Sequence, residues 1–114
     1  MFRLPGESPA PRLAITEAPI DALSLAALEG VRSDTLYVAT GGGMGTGTEQ
    51  AIERVLTAIA GLPNSLLASA TDANSAGERY AARHAELAAA AGVPFERLRP
   101  AVGTDWNDVI AAQR

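Results

Sequence analysis

The sequence contains no cysteine and no lysine. The first absence removes disulfides, thiolate metal sites and cysteine nucleophiles together. The second excludes a Walker phosphate loop and any Schiff-base enzyme, because both need a lysine amine. Every basic side chain is an arginine, apart from the single histidine. With one histidine and no thiol, the chain is poorly equipped for zinc. Aromatic residues make up only 4% of the chain, so core packing rests on Ala, Leu, Ile and Val. No apolar run approaches the roughly 20 residues that span a bilayer. No basic, apolar, small-residue leader opens the chain either, so no membrane partner and a cytoplasmic location are expected. A basic surplus is also missing, with a net charge of −4 and a pI of 4.8. Free-standing nucleic-acid binders usually carry such a surplus. Contact with nucleic acid would therefore run through bound metal, local arginines or a neighbouring domain.

What is present suits one small α/β domain. The 114 residues are 47% hydrophobic, enough for a real core. Met1 to Arg12 is rich in proline and glycine and reads as a leader or linker, with the domain proper at 13–114. Leu13 to Thr16 is a short apolar run, a candidate buried strand. Pro19 suits the first turn of a helix over Ile20 to Glu29, with Ile20, Leu23 and Ala27 on its apolar face and Gly30 as its stop. Thr35 to Ala39 is a second strand and runs into Gly41-Gly-Gly43. Thr46-Gly-Thr-Glu49 fits a capping box, followed by Ile52, Val55, Leu56 and Ile59 at helical spacing. Ser65 to Ala70 is a third strand. Ser75-Ala-Gly-Glu78 fits another capping box, opening a helix that Gly92 and Pro94 close. Phe95 to Leu98 is a weak fourth strand, and Thr104 to Ala112 a short terminal helix. This alternation predicts about four mainly parallel strands with helices on both faces, a three-layer α/β/α arrangement of Rossmann-like kind.

In such sheets, ligands bind beyond the carboxyl ends of the strands, where the strand order reverses. Two groups of residues fall there. Gly41 to Gly47 holds no G-x-G-x-x-G; it is either a flexible turn into a helix or, through Gly42 and Gly43, a close backbone approach to a phosphate. The other group is acidic. Glu17 ends the first strand, Asp21 lies one helical turn on, and Asp72 ends the third. Clustered carboxylates are costly without a cation, and Mg²⁺ takes one or two of them with waters and phosphate. The plainer alternatives are a carboxylate favoured by a helix dipole and an Asp72 that merely caps its helix. His84 lies mid-helix on the apolar stripe and reads as a packing residue. Trp106 anchors the terminal helix or stacks on a base. Arg79 and Arg83 form a solvated pair, with Arg79 near enough to the helix start for a phosphate contact.

Three segments resemble a known family. Ile15-Thr-Glu-Ala-Pro-Ile-Asp-Ala-Leu-Ser24 is similar to the first Toprim motif, a strand ending in glutamate with an aspartate after it. Ala70-Thr-Asp-Ala-Asn-Ser-Ala-Gly-Glu-Arg79 resembles the second, an Asp-x-Asp turn followed by Ala-Gly and a helix. Gly103-Thr-Asp-Trp-Asn-Asp108 resembles the closing segment of primase-like members. The resemblance spans Leu13 to Ile110 and is nearest to Toprim domains of plasmid mobilisation, relaxase-associated and primase-like proteins. Toprim domains occur in primases, type IA and type II topoisomerases, nucleases and recombination proteins. The resemblance implies Mg²⁺ (or Mn²⁺), DNA as partner with help from other domains of a parent protein, and nucleotidyl transfer or phosphodiester cleavage. It makes Glu17 the general acid/base and Glu17, Asp21, Asp72, Asn74 and Asp105 the metal-ligand candidates. Three positions depart from the pattern. Asn74 replaces the second aspartate of Asp-x-Asp, Ala18 replaces the usual glycine, and Thr104 replaces a lysine. The alternatives are a weakened or inactive module that binds nucleic acid or a partner domain, and a nucleotide-binding doubly wound domain using Gly41 to Gly47.

Overall fold

A computed structural model describes residues 2–3, 10–41, 44–101 and 103–113. Five strands form one sheet: β1 (Phe2–Arg3), β2 (Arg12–Thr16), β3 (Thr35–Ala39), β4 (Leu66–Ser69) and β5 (Phe95–Arg97). Their order across the sheet is β1-β3-β2-β4-β5. β2 pairs in parallel with β3 and β4, and β4 with β5, while β1 pairs antiparallel with β3. The helices are α1 (Pro19–Leu28), α2 (Thr46–Ile59), α3 (Ser75–Ala91) and α4 (Trp106–Ala112).

The layers follow from side-chain alternation along the strands. Leu13 and Ile15, Leu36 and Val38, and Leu67 point to the face where Ile52, Leu56 and Ile59 of α2 and Leu87 and Ala88 of α3 pack. Ala14, Tyr37 and Ala68 point to the other face, under Leu25 and Ala26 of α1 and Trp106 of α4. β2 and β3 are buried along their whole length, as expected for parallel strands covered on both sides. The three-layer α/β/α arrangement expected from the sequence is therefore the one observed.

Several local expectations change. Within the stretch read as a leader, Phe2–Arg3 form the antiparallel edge strand and Arg12 opens β2. α1 is turned over relative to its expected face. Ile20 and Leu23 are 52% and 47% exposed, while Asp21, Ala22, Ser24, Leu25 and Ala26 are buried. The helix carries a single charge, Asp21, so its pattern marks no face as outer. Both expected capping boxes are absent. Gly45 precedes α2 without a side-chain cap, and Glu49 instead pairs with Arg83 at 2.8 Å. Asn74 caps α3, one residue before Ser75, and Glu78 turns to Arg97 and Arg99. The reciprocal box occurs at α4, between Asp105 and Asp108. His84 is a packing residue, fully buried, with Nδ1 2.7 Å from Ser69 Oγ. Burial pushes its pKa down to about 4, so it is neutral near pH 7. At the amino edge of the sheet, Arg12 is buried and makes a bidentate pair with Glu29, which also accepts from Tyr37 Oη at 2.7 Å.

Candidate acidic site at the carboxyl edge of the sheet

From β2 the chain moves to β3 on one side and then crosses to β4 on the other, so the order reverses between β2 and β4. Glu17 follows β2, and Asp72 follows β4. They meet there: the Asp72 backbone N–H donates to Glu17 Oε2 at 2.8 Å. Asp72 Oδ1 is buried and has no hydrogen-bond partner. Burial pushes the Asp72 carboxyl up to about 7, and repulsion from Glu17, Asp21 and Asp105 adds to the shift. Asp21 is also buried, which raises its pKa, while the Asn107 N–H it accepts at 3.2 Å pulls the other way. Four carboxylates thus lie within reach of one another's charge at a single mouth.

The closing segment is docked onto this mouth by three contacts. Ala73 N–H donates to the Thr104 carbonyl at 2.7 Å. Trp106 Nε1 donates to the Ala70 carbonyl at 2.8 Å, so the indole anchors α4, and Asn107 N–H holds Asp21. Asp105 caps α4 by accepting from the Asp108 N–H at 2.9 Å.

The other candidates stand differently. Asn74 Oδ1 accepts from Gly77 N–H at 2.7 Å, so this oxygen is used as the cap of α3. Arg79 is exposed on α3 and makes no ion pair among the described residues. Arg83 is held by Glu49 and Glu86. Gly42 and Gly43 lie outside the described residues. Next to them, Gly41 has a positive φ of 81°, and its N–H donates to the Glu17 carbonyl at 2.9 Å. Among the described residues no three His, Asp or Glu side chains converge closely enough to grip an ion as they stand. Two larger surface hollows, by Gln50, Glu53 and Arg54 on α2 and by Arg12, Arg32 and Asn64 at the amino edge, include none of the four carboxylates.

Sequence reasoning missed Arg97. Its guanidinium donates to backbone carbonyls of the turn that bears Asp72 and pairs with Glu78. Apart from the Leu98 carbonyl next to it, its partners lie 19 to 28 residues away, beyond any local pattern.

Gly77 explains why an Ala-Gly step follows the aspartate turn. A Cβ there would collide with the Asp72 carbonyl oxygen and stand 2.7 Å from the carbonyl carbon. A family model described as Toprim-like matches residues 14–110. The chain belongs to the Toprim-like family. No curated protein and no solved structure gives a significant match. Toprim domains as a family act on nucleic acid and generally bind Mg²⁺, and this Toprim-like domain is of that DNA-processing kind in general. No helix among the described residues is long and apolar enough to cross a membrane.

Proposed function

We propose that this Toprim-like domain carries a Mg²⁺-dependent (or Mn²⁺-dependent) site for nucleotidyl transfer or phosphodiester cleavage, within a DNA-processing protein of plasmid-mobilisation or primase-like type. The observation that carries the reading is the Glu17–Asp72 contact at the point of strand reversal, with Asp72 Oδ1 buried and unpartnered. A buried carboxylate oxygen without a partner, repelled by three neighbouring carboxylates, is relieved by a cation. The donor set is all oxygen, which fits a hard divalent ion that also keeps waters and takes substrate phosphate. When bound, such an ion supplies charge stabilisation to the phosphate oxygens. Glu17 and Asp72 would be its main ligands, with Asp21 adding negative charge from α1 and Asp105 from the docked α4.

The residues' own work can be stated separately. Glu17 is the general acid/base, moving a proton to or from a sugar hydroxyl. Asp21 and the capped α4 hold the closing segment against the turn, and Arg79 is free to meet a backbone phosphate.

A second reading rests on a different observation. Asn74 stands where a second aspartate is usual, and its oxygen is committed to the α3 cap. A module with one carboxylate fewer would bind nucleic acid or a partner domain with little or no turnover.

Titration with Mg²⁺ while following the backbone amides of Glu17, Asp72 and Asn74 tests the first reading. Saturable shifts centred on Glu17 and Asp72 support it, and no change at millimolar metal removes it. Asn74→Asp separates the two readings. The aspartate still caps α3, so a large gain in metal affinity with turnover appearing only in the variant would favour the second.

A further inference from the structure

We propose that Arg97 is a positioning residue for the Glu17–Asp72 pair, setting the Asp72 carboxylate from behind the sheet edge. The inference rests on the metal-site reading for its consequence, and on geometry alone for its cause.

Arg97 is the last residue of β5, and its side chain is only 10% exposed. Its backbone already pairs with Ser69 in the sheet. Its guanidinium does something else. Nη1 donates to the carbonyls of Thr71 at 2.9 Å, Leu98 at 2.8 Å and Ser69 at 3.1 Å. Nη2 donates to the Asp72 carbonyl at 3.0 Å. The Thr71 and Asp72 carbonyls lie beyond the end of β4 at Ser69, where the chain loses its ladder partners, so they need donors from elsewhere, whereas the Ser69 carbonyl also accepts the Leu98 N–H at 2.9 Å. On the far side, Glu78 receives Nη2 at 2.9 Å and Nε at 3.3 Å. Arg99 holds the same Glu78 through 2.9 and 3.1 Å contacts.

The result is that both backbone polar groups of Asp72 are fixed by charged side chains. Glu17 takes its N–H, and Arg97 takes hold of its C=O. With both ends of the residue pinned, its backbone dihedrals are set, and with them the direction of the Cα–Cβ bond that carries its carboxylate. A planar fork with five donors on three nitrogens serves the Ser69, Thr71, Leu98 and Asp72 carbonyls and both Glu78 oxygens at once, more partners than the three donors of a lysine ammonium can hold. Glu78 fixes the plane of that fork, and Arg99 fixes Glu78.

The test uses Arg97→Lys and Glu78→Gln in the whole chain. Two readouts are taken: the shift and hydrogen exchange of the Asp72 amide, with the Ile15 amide in β2 as internal reference, and Mg²⁺ affinity. In Arg97→Lys, the Asp72 amide is expected to exchange roughly tenfold faster, as loss of a charge-assisted hydrogen bond implies, with Ile15 unchanged. Mg²⁺ affinity is expected to fall about tenfold, the scale seen when groups orienting a metal ligand are removed. Glu78→Gln should move both readouts in the same direction by less. A lower melting temperature with the Asp72 amide unmoved would show a merely structural arginine and overturn the proposal. Should the unaltered chain bind no Mg²⁺, the proposed function falls while the amide readout still decides the role of Arg97. Should Arg97→Lys fail to fold, Glu78→Gln, whose side chain is 41% exposed, carries both readouts alone.

Discussion

Gly77→Ala tests how tightly the Asp72 turn is built. Gly77 lies in the first turn of α3, where alanine is ordinarily the better helix former by up to about 1 kcal/mol. Helix propensity alone therefore predicts stabilisation. The structure predicts the opposite. An added Cβ would strike the Asp72 carbonyl oxygen, and it would stand 2.7 Å from the carbonyl carbon and 3.0 Å from the amide nitrogen. These are backbone atoms and cannot swing aside as a side-chain tip can. Relief means moving α3 or the turn, which costs about 1–3 kcal/mol for overpacking of this kind. The shift also pulls the Asp72 carbonyl from Arg97 Nη2, now at 3.0 Å, and strains the Asn74–Gly77 cap at 2.7 Å. A hydrogen bond to a charged group adds roughly 1.5–3 kcal/mol. Subtracting the propensity gain leaves a net loss of about 1.5–5 kcal/mol. At roughly 4 °C per kcal/mol for a domain of this size, the melting temperature should drop by about 6–20 °C. Urea and thermal unfolding of both proteins measure it. A variant as stable as the original, or more stable, would refute the close approach of α3 to the Asp72 turn.

Other outcomes follow from the same geometry. Asp72 titrates near 7 in the folded chain against an ordinary 3.8, so the folded state holds the extra proton between these values. Its contribution to stability is full below about pH 4 and is lost as pH rises through 7. Asp72→Asn removes that dependence, so without metal it should melt higher than the original at pH 8, with the gap closing at pH 4. Glu29→Ala leaves the buried Arg12 charge without its partner and should cost about 3–5 kcal/mol in urea unfolding. Val31 is held at a φ of 52°, a strained position for a branched side chain, so Val31→Gly should raise stability by about 1 kcal/mol. Gly103→Ala combines a φ of 72° with a Cβ 2.6 Å from Asp108, so it should loosen the α4 cap and speed amide exchange at Asp108.

What the sequence revealed and what it hid divide along a physical line. β3 was legible to the residue because Thr35–Ala39 is an unbroken run of β-branched, aromatic and apolar residues buried on both faces. Glu17 and Asp72 were legible as strand-end residues because parallel topology brings strand ends together. α1 was misread because Ile20 and Leu23 look like core and nothing charged marks the outer face. Its one charged residue, Asp21, is instead buried and held by the backbone of α4, 86 residues on. The caps were misread because a Ser/Thr-x-x-Glu pattern fits more than one register, and Glu49 and Glu78 have stronger partners in distant arginines. Arg97 was invisible for the same reason: its role is written in contacts to β4 and α3, not in its neighbours.

The central claim is that Glu17 and Asp72 form the core of a divalent-cation site. Counting bound Mn²⁺ by electron paramagnetic resonance tests it most directly, comparing the unaltered chain with the Glu17→Gln, Asp72→Asn double variant. A cooperative melting transition would verify that the variant is folded. The account predicts one bound ion per chain in the first and none in the second. Equal binding by both proteins, or no binding by the unaltered chain at millimolar Mn²⁺, would contradict it.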